Sequence, residues 1–200
     1  MSDLALTGWS LVAVVVALLA VWVAVGAANR LDRLHHRVRE SRATLDAQLV
    51  RRATAALDLA VAGVLDPVSS VLVADAAREA LDRLPGAPPE HDPPPATSAA
   101  AAEADDVDQA MAESELSRVL RAALGDAADR AALASVEGAE ELLARLERES
   151  YRVQLARRFH NDAVVQVRRI RAKGYVRLLR LAGHAPVPQT FEMDDATGQA

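Results

Sequence analysis

The chain has no cysteine, one lysine (Lys173), and only two residues each of Trp, Tyr and Phe among its 200. Without thiols there are no disulfides and no thiolate metal sites, and the redox compartment leaves no trace. The 22 arginines set against that single lysine are the mark of GC-rich coding, so arginine as a class says little about function. Aromatics make up 3%, and much of the 51% apolar share is alanine and valine, so a compact globule would be poorly filled. Long helices need less bulk, because alanine is the best helix former and lets helices approach closely. Also missing are runs of alternating β-branched residues bounded by turns, which excludes predicted strands. No glycine-rich phosphate loop, zinc-ligand spacing or nucleophile motif occurs. The expected fold is all-α: one N-terminal transmembrane helix, then an antiparallel helical bundle with long coiled-coil-like helices. Neither enzyme activity nor a cofactor is expected.

What the sequence does contain begins with residues 4–29, 26 consecutive positions without a formal charge. A helix of roughly 20 apolar residues crosses a hydrocarbon core of about 30 Å, and residues 9–28 are assigned to the span. Trp9 falls where an interfacial aromatic belt would lie. The competing reading is a cleaved signal peptide, with Val25-Gly26-Ala27 as the small-residue site. Against it, residues 1–10 carry Asp3 and no Lys or Arg, and the apolar run exceeds the usual h-region. Arg30, Arg33, Arg37, Arg39 and Arg42 follow the span, so the positive-inside rule predicts residues 1–8 outside and the remainder in the cytoplasm. Arg30, Arg33 and Arg37 are the predicted contacts with the anionic inner leaflet of the plasma membrane.

Beyond the span, Leu31, Leu34, Val38, Leu45 and Leu49 recur at helical spacing, which continues the helix. Gly63 and Asp66-Pro67 predict a break, and residues 68–84 a second helix, so residues 29–84 supply the first two bundle helices. Six prolines fall within positions 85–95. Residues 85–105 are therefore expected to be a linker, with His91 in a solvated loop. The remaining bundle helices are placed at 106–183, one to Leu124 before Gly125 and a long one over 126–181, with a kink near 135–138. Residues 184–200 are expected to be a disordered tail.

Charge is strongly segregated. Residues 85–141 hold 13 acidic and 3 basic side chains, and residues 145–180 hold 11 basic and 3 acidic. The basic stretch is expected to pair first with the acidic third segment of the same chain, then with the anionic leaflet. Nucleic acid ranks last and is not expected, since only Tyr151, Phe159 and Tyr175 interleave with the arginines. One heptad phase also crosses the membrane boundary: Ala13, Ala17, Ala20, Ala24 and Ala27, then Leu31, Leu34 and Val38. Small residues in lipid and Leu/Val in water define a helix-association face for self-association, or the core stripe of the chain's own bundle.

Two segments carry a family pattern. After the span stand Asn29, Arg30, Leu31, Asp46, Gln48, Leu49, Arg51 and Arg52. Later comes the run from Arg157 to Val164, containing Phe159, His160, Asn161 and Asp162, and then Phe191-Glu192-Met193-Asp194. Together these resemble the LemA family of bacterial membrane proteins, with His160 where that family has tyrosine. The resemblance implies a membrane-anchored helical bundle linked loosely to the cell envelope, with no established catalytic activity.

No catalytic constellation stands out. His35 and His36, with Asp32 or Glu40, offer metal-ligand spacing, but a solvated pair accounts for them. His160, Asn161 and Asp162 diverge by about 100° each on a helix and do not converge on a substrate. His160 is expected in the core, with Asn161 or Asp162 bonding a neighbouring helix. The function expected is a membrane-anchored scaffold partnered by the bilayer and by envelope proteins. The alternatives are an exported helical protein and a metal-dependent regulator using the histidines.

Overall fold

The structure, a computed structural model, describes residues 2–84, 99–125, 133, 135–178 and 187–194. Among these lie α1 (Ser2–Val61), α2 (Pro67–Asp82), α3 (Ala99–Leu124), α4 (Ala139–Arg171) and α5 (Gly174–Leu178). The described residues are all-helical apart from turns and one extended segment, and they contain no strand.

α1 is unbroken over 60 residues. Gly26 interrupts neither its backbone nor its apolar run, since one glycine costs only about 1 kcal/mol against alanine. The helix stops where Gly63 takes φ 71°, a left-handed conformation that side chains resist. Asp66 then starts α2 by accepting from the backbone amides of Val68 and Ser69 at 3.0 and 3.1 Å. Pro67 fills the first turn, where its missing amide hydrogen is no loss.

Three boundaries differ from expectation. α3 begins at Ala99 rather than 106, because the four alanines 99–102 have the highest helix propensity and join the helix instead of the linker. Residues 85–98, His91 included, lie outside the described residues. The single helix expected over 126–181 is not continuous. Gly138, at φ 80°, precedes α4, and a turn at Ala172-Lys173 separates α4 from α5. Residues 126–132, 134 and 179–186 lie outside the described residues. The third correction concerns the tail. Residues 187–194 are extended and ordered against helices, with Phe191 and Met193 buried, because alternate residues of an extended chain can fill a cleft. Residues 195–200 lie outside the described residues.

The chain divides into two compact units. One comprises Met1–Arg39 and Ala163–Pro188. Its core joins Leu31 and Val38 of α1 to Ala163, Val164 and Val167 of α4 and Val176 of α5, with Leu34 and Ile170 half-buried beside them. The Arg168 Nε–H donates to the Pro188 carbonyl at 2.9 Å. Nearer its start, α1 leaves Val14, Val15, Leu18, Leu19, Val21 and Val23 at least half exposed. Among the described residues, one helix near the N-terminus is long and apolar enough to cross a membrane.

The other unit comprises Glu40–Asp162 and Gln189–Ala200. One cluster gathers Ala53, Ala56 and Leu59 of α1, Val73 and Ala77 of α2, Leu116 and Leu120 of α3, and Leu143 and Leu146 of α4. A second gathers Leu45, Leu49, Leu84, Val153 and Ala156 around Phe191 and Met193. Between α1 and α3 lies a buried ion pair. Arg52 Nη2 donates to Glu113 Oε2 at 2.5 Å and to the Glu113 carbonyl at 3.0 Å, and Nη1 donates to Ser117 Oγ at 3.0 Å.

Candidate functional site

Among the described residues a polar cluster surrounds Arg42, and α1, α3, α4 and the C-terminal strap 189–194 all contribute to it. Position 42 lies three residues before Leu45 and seven before Leu49, on the same side of α1, and its side chain sits at the core edge at 19% exposure. Its Nε donates to Asp46 at 3.1 Å, and its Nη2 reaches Asp106 at 2.8 Å and Gln109 Oε1 at 2.5 Å. The guanidinium also lies 4.9 Å from the centroid of the Phe191 ring, within cation–π range. Arg42 was expected to serve the membrane flank. It instead fastens α3 and the strap to α1.

The strap is held at each side. Asn161 brackets Phe191, its Oδ1 accepting from the Phe191 amide at 2.9 Å and its Nδ2 donating to the Phe191 carbonyl at 3.2 Å. Ser114 Oγ accepts from the Asp194 amide at 3.0 Å, and Arg121 reaches the Asp194 carboxylate at 2.6 Å. Arg157 lies 3.9 Å from Glu192. Asn161 therefore bonds an extended segment rather than a neighbouring helix, and Asp162 is exposed.

His160 is buried, at 3% exposure. Ser41 Oγ lies 3.1 Å from its Nδ1, and the backbone of Gln189 bonds the ring. A neutral imidazole accepts from Ser41 at Nδ1 and keeps its other nitrogen protonated for that backbone. Shut beneath the strap, the Ser–His pair is occupied in holding it. Burial lowers the proton affinity of His160, and Arg42 lowers it further, while the Gln189 backbone, Asp106 and Asp46 pull the other way. The folded chain thus takes up this proton less readily than the unfolded one, whose histidine titrates near 6.5. Stability is fully present above that pH and is lost as pH falls below it. A thermal melt of the full-length chain at pH 7.5 and 5.5 is expected to show a lower midpoint at 5.5, with His160→Gln narrowing the gap. His35, also lowered by burial and by Arg171, supplies the remaining histidine part. An unchanged gap in His160→Gln would remove His160 from the account.

Between α3 and the strap runs a groove of about 650 Å³. Its floor is apolar, with Val107 and Met111 at 57% and 65% exposure. Glu103, Asp106, Glu115, Glu192 and Asp194 surround it, against Arg118 as the single lining cation. Four of these carboxylates answer arginines of the same chain, Asp106 with Arg42, Glu115 with Arg118, Glu192 with Arg157 and Asp194 with Arg121, and Glu103 accepts from Gln189.

The other predicted residues are dispersed. Arg30, Arg33 and Arg37 are exposed on α1. Leu31, Leu34 and Val38 are covered by Val164, Val167 and Val176 of the same chain, so they are core stripe and not an intermolecular face. Ala24 and Ala27 are half-exposed, and the side chains of Ala13, Ala17 and Ala20 lie outside the described residues. Phe159 is 62% exposed, away from the strap. His36 sits 3.8 Å from Asp32 on an exposed helix face, and no group of three or more potential metal ligands occurs among the described residues. Among the described residues, ion pairs join the acidic third segment to α1 and α2: Asp106 with Arg42, Glu113 with Arg52, and Asp108 with Arg83. Heptad geometry explains this, because α3 packs directly on α2 and α1. Compared with family models, curated proteins and solved structures, the chain matches none.

Proposed function

We propose that this chain is a divergent LemA-type scaffold of the bacterial envelope, anchored in the plasma membrane by α1, with its N-terminus outside and its remaining helices in the cytoplasm. The observation that carries the reading is the split character of α1. Over residues 14–25 its valines, leucines and Trp22 are half or more exposed, while from Leu31 onward one face is buried by the chain itself. Leaving so much contiguous apolar surface in water is costly at about 25 cal/mol per Å², and a bilayer removes the cost. The exposed Arg30, Arg33 and Arg37 follow directly, where an anionic leaflet adds about 1 kcal/mol for each arginine.

The bundle is antiparallel in this reading. Support comes from the second unit, where Asp58 of α1 meets Arg145 of α4 at 2.6 Å and Ser41 meets His160 at 3.1 Å. Residue numbers fall along α1 as they rise along α4. The partners are the bilayer, its anionic lipids and envelope proteins. Interaction is favoured over catalysis because, among the described residues, the Ser41–His160 pair lies under the strap and the groove presents no nucleophile beside a free base.

Reporter fusions at both ends, made in intact bacteria, test the reading. A cytoplasmic C-terminal reporter, an external N-terminal one and an uncleaved chain retained in carbonate-washed membranes are expected. A chain cleaved after Ala27, or an external C-terminus, would overturn the anchored orientation and favour the exported helical protein.

A further inference from the structure

We infer that α5 and the end of α4 form a second contact with the bilayer, a basic, tyrosine-bearing surface that binds the phosphate headgroups of anionic lipids beside α1. Packing within one unit carries this surface to the membrane flank. Val176 of α5 is 2% exposed and shares one core cluster with Leu31 and Val38 of α1 and with Ala163, Val164 and Val167 of α4. Arg171, the last residue of α4, lies close enough to His35 to lower its proton affinity. If the span ends at residue 28, a helical rise of about 1.5 Å per residue puts Leu31 and Val38 roughly 5 and 15 Å beyond it. The headgroup layer on one side is about 5–8 Å deep. The cluster thus begins inside that layer, and long cationic side chains standing on it extend into the phosphates. The inference rests on the anchored reading for the position of the bilayer.

Charge supplies the second argument. Residues 29–39 and 163–178, the described part of this unit beyond the span, hold nine arginines and lysines against one carboxylate, Asp32. Arg30, Arg33 and Arg37 are exposed on α1, and their three- and four-residue spacing sets them in one stripe beside the buried Leu31, Leu34 and Val38. Arg169, Lys173 and Arg177 are exposed at the end of α4 and around α5. Among the described residues, no carboxylate forms an ion pair with any of these six. One carboxylate cannot offset nine cations, whereas an anionic leaflet can, and each cation near it strengthens attachment about fivefold.

The third argument is aromatic. From Val23 to Val61, α1 has no Trp, Tyr or Phe, so it brings no aromatic anchor of its own to the inner interface. Tyr175 supplies one. It is 45% exposed between Lys173 and Arg177, while its neighbour Val176 is buried. The short helix therefore turns its valine to the core and its ring and cations outward. Tyrosine favours the headgroup level, where the ring meets acyl chains and the hydroxyl meets water. Cations around a single amphipathic ring fit a lipid surface better than a nucleic acid, which is held by aromatics repeated along a basic face. Contacts from two distant segments, one on α1 and one around α5, fix the tilt of this unit on the leaflet.

The absence of cysteine lets a single thiol label report the contact. In full-length chain reconstituted into vesicles, Ala172→Cys places a fluorophore at an exposed position between α4 and α5, and Val23→Cys places one in the span. Position 23 is expected to be quenched by nitroxides on acyl chains in every vesicle. At position 172, quenching by nitroxides on headgroups is expected to be at least threefold stronger with about a third phosphatidylglycerol than in purely zwitterionic vesicles. Roughly 1 M salt, which cuts the screening length to about 3 Å, is expected to remove that gain. Arg169→Glu, Lys173→Glu and Arg177→Glu together are expected to abolish it, and the milder glutamine set to lose most of it, with helicity unchanged by circular dichroism. Tyr175→Ser is expected to reduce it. Quenching at 23 with no gain at 172 overturns the inference while the anchored reading stands. Equal quenching at 172 in both kinds of vesicle also overturns it, since the contact would not select anions. Loss of the gain on adding a DNA duplex at equal phosphate assigns the surface to nucleic acid and overturns it too. Absence of quenching at 23 sinks the anchored reading, and this inference with it.

Discussion

Glu113→Ala is expected to lower the unfolding free energy of the full-length chain by about 3–5 kcal/mol, the usual cost of stranding one partner of a buried ion pair. Glu113 is fully buried and Arg52 is 3% exposed, so water cannot replace the missing carboxylate. Ser117 and the Glu113 carbonyl would still accept from Arg52, but neither neutralises it. Burial pushes the Glu113 carboxyl up, and Arg52 holds it back. The pair is also incompletely satisfied, since Arg52 Nε and Glu113 Oε1 have no hydrogen-bond partner among the described residues. Replacing both partners at once, Arg52→Met with Glu113→Leu, is therefore expected to recover most of the loss or to exceed the parent. Denaturant unfolding followed by circular dichroism in mild detergent measures all three. A loss below about 1 kcal/mol for Glu113→Ala would mean that the site opens to water.

Phe191→Ala is expected to have an effect of similar size, about 3–5 kcal/mol, from loss of a fully packed ring and the cavity left behind. Phe191 is 2% exposed among Leu45, Leu49, Leu84, Val153 and Ala156. Its loss also removes the surface over which Arg42 lies. The effect is expected to be local before it is global, because the strap is extended and contributes no helix of its own. Hydrogen exchange separates the two. Rapid exchange at position 191 and at the Asp194 amide, with helical amides still protected, is the expected pattern. Retained protection at 191 would show that the Asn161 bracket alone suffices.

The helices were legible because their signals are local. Gly63, Asp66-Pro67 and Gly125 end and start helices through backbone conformation and capping, which depend on few neighbours. The stripe Leu31, Leu34, Val38, Leu45, Leu49 was visible from spacing, and all of it is buried except the half-buried Leu34. The strap was not recognised. Its signal was present in the alternation of Phe191 and Met193 with polar Thr190, Glu192 and Asp194, but six residues after prolines read more readily as a tail. Arg52 and Glu113 were illegible as a pair because 61 residues separate them and both types read as surface. Arg42 misled for a related reason: its place in an arginine-rich membrane flank concealed a role in joining α1, α3 and the strap. The groove depended on the strap and could not be foreseen without it.

The strap follows in sequence every helix it touches, so it is also synthesised after them. Between Arg42 and Phe191 the ribosome adds 149 residues, roughly 7–30 s of elongation at bacterial-type rates. Until Phe191 is added, Leu45 and Leu49, joined late in that interval by Val153 and Ala156, lack their aromatic lid, and the Arg42 cluster lacks its cap. A chain interrupted before Phe191 would keep its helices but expose an apolar cleft bordered by charge. Proteolytic surveillance recognises surfaces of that kind.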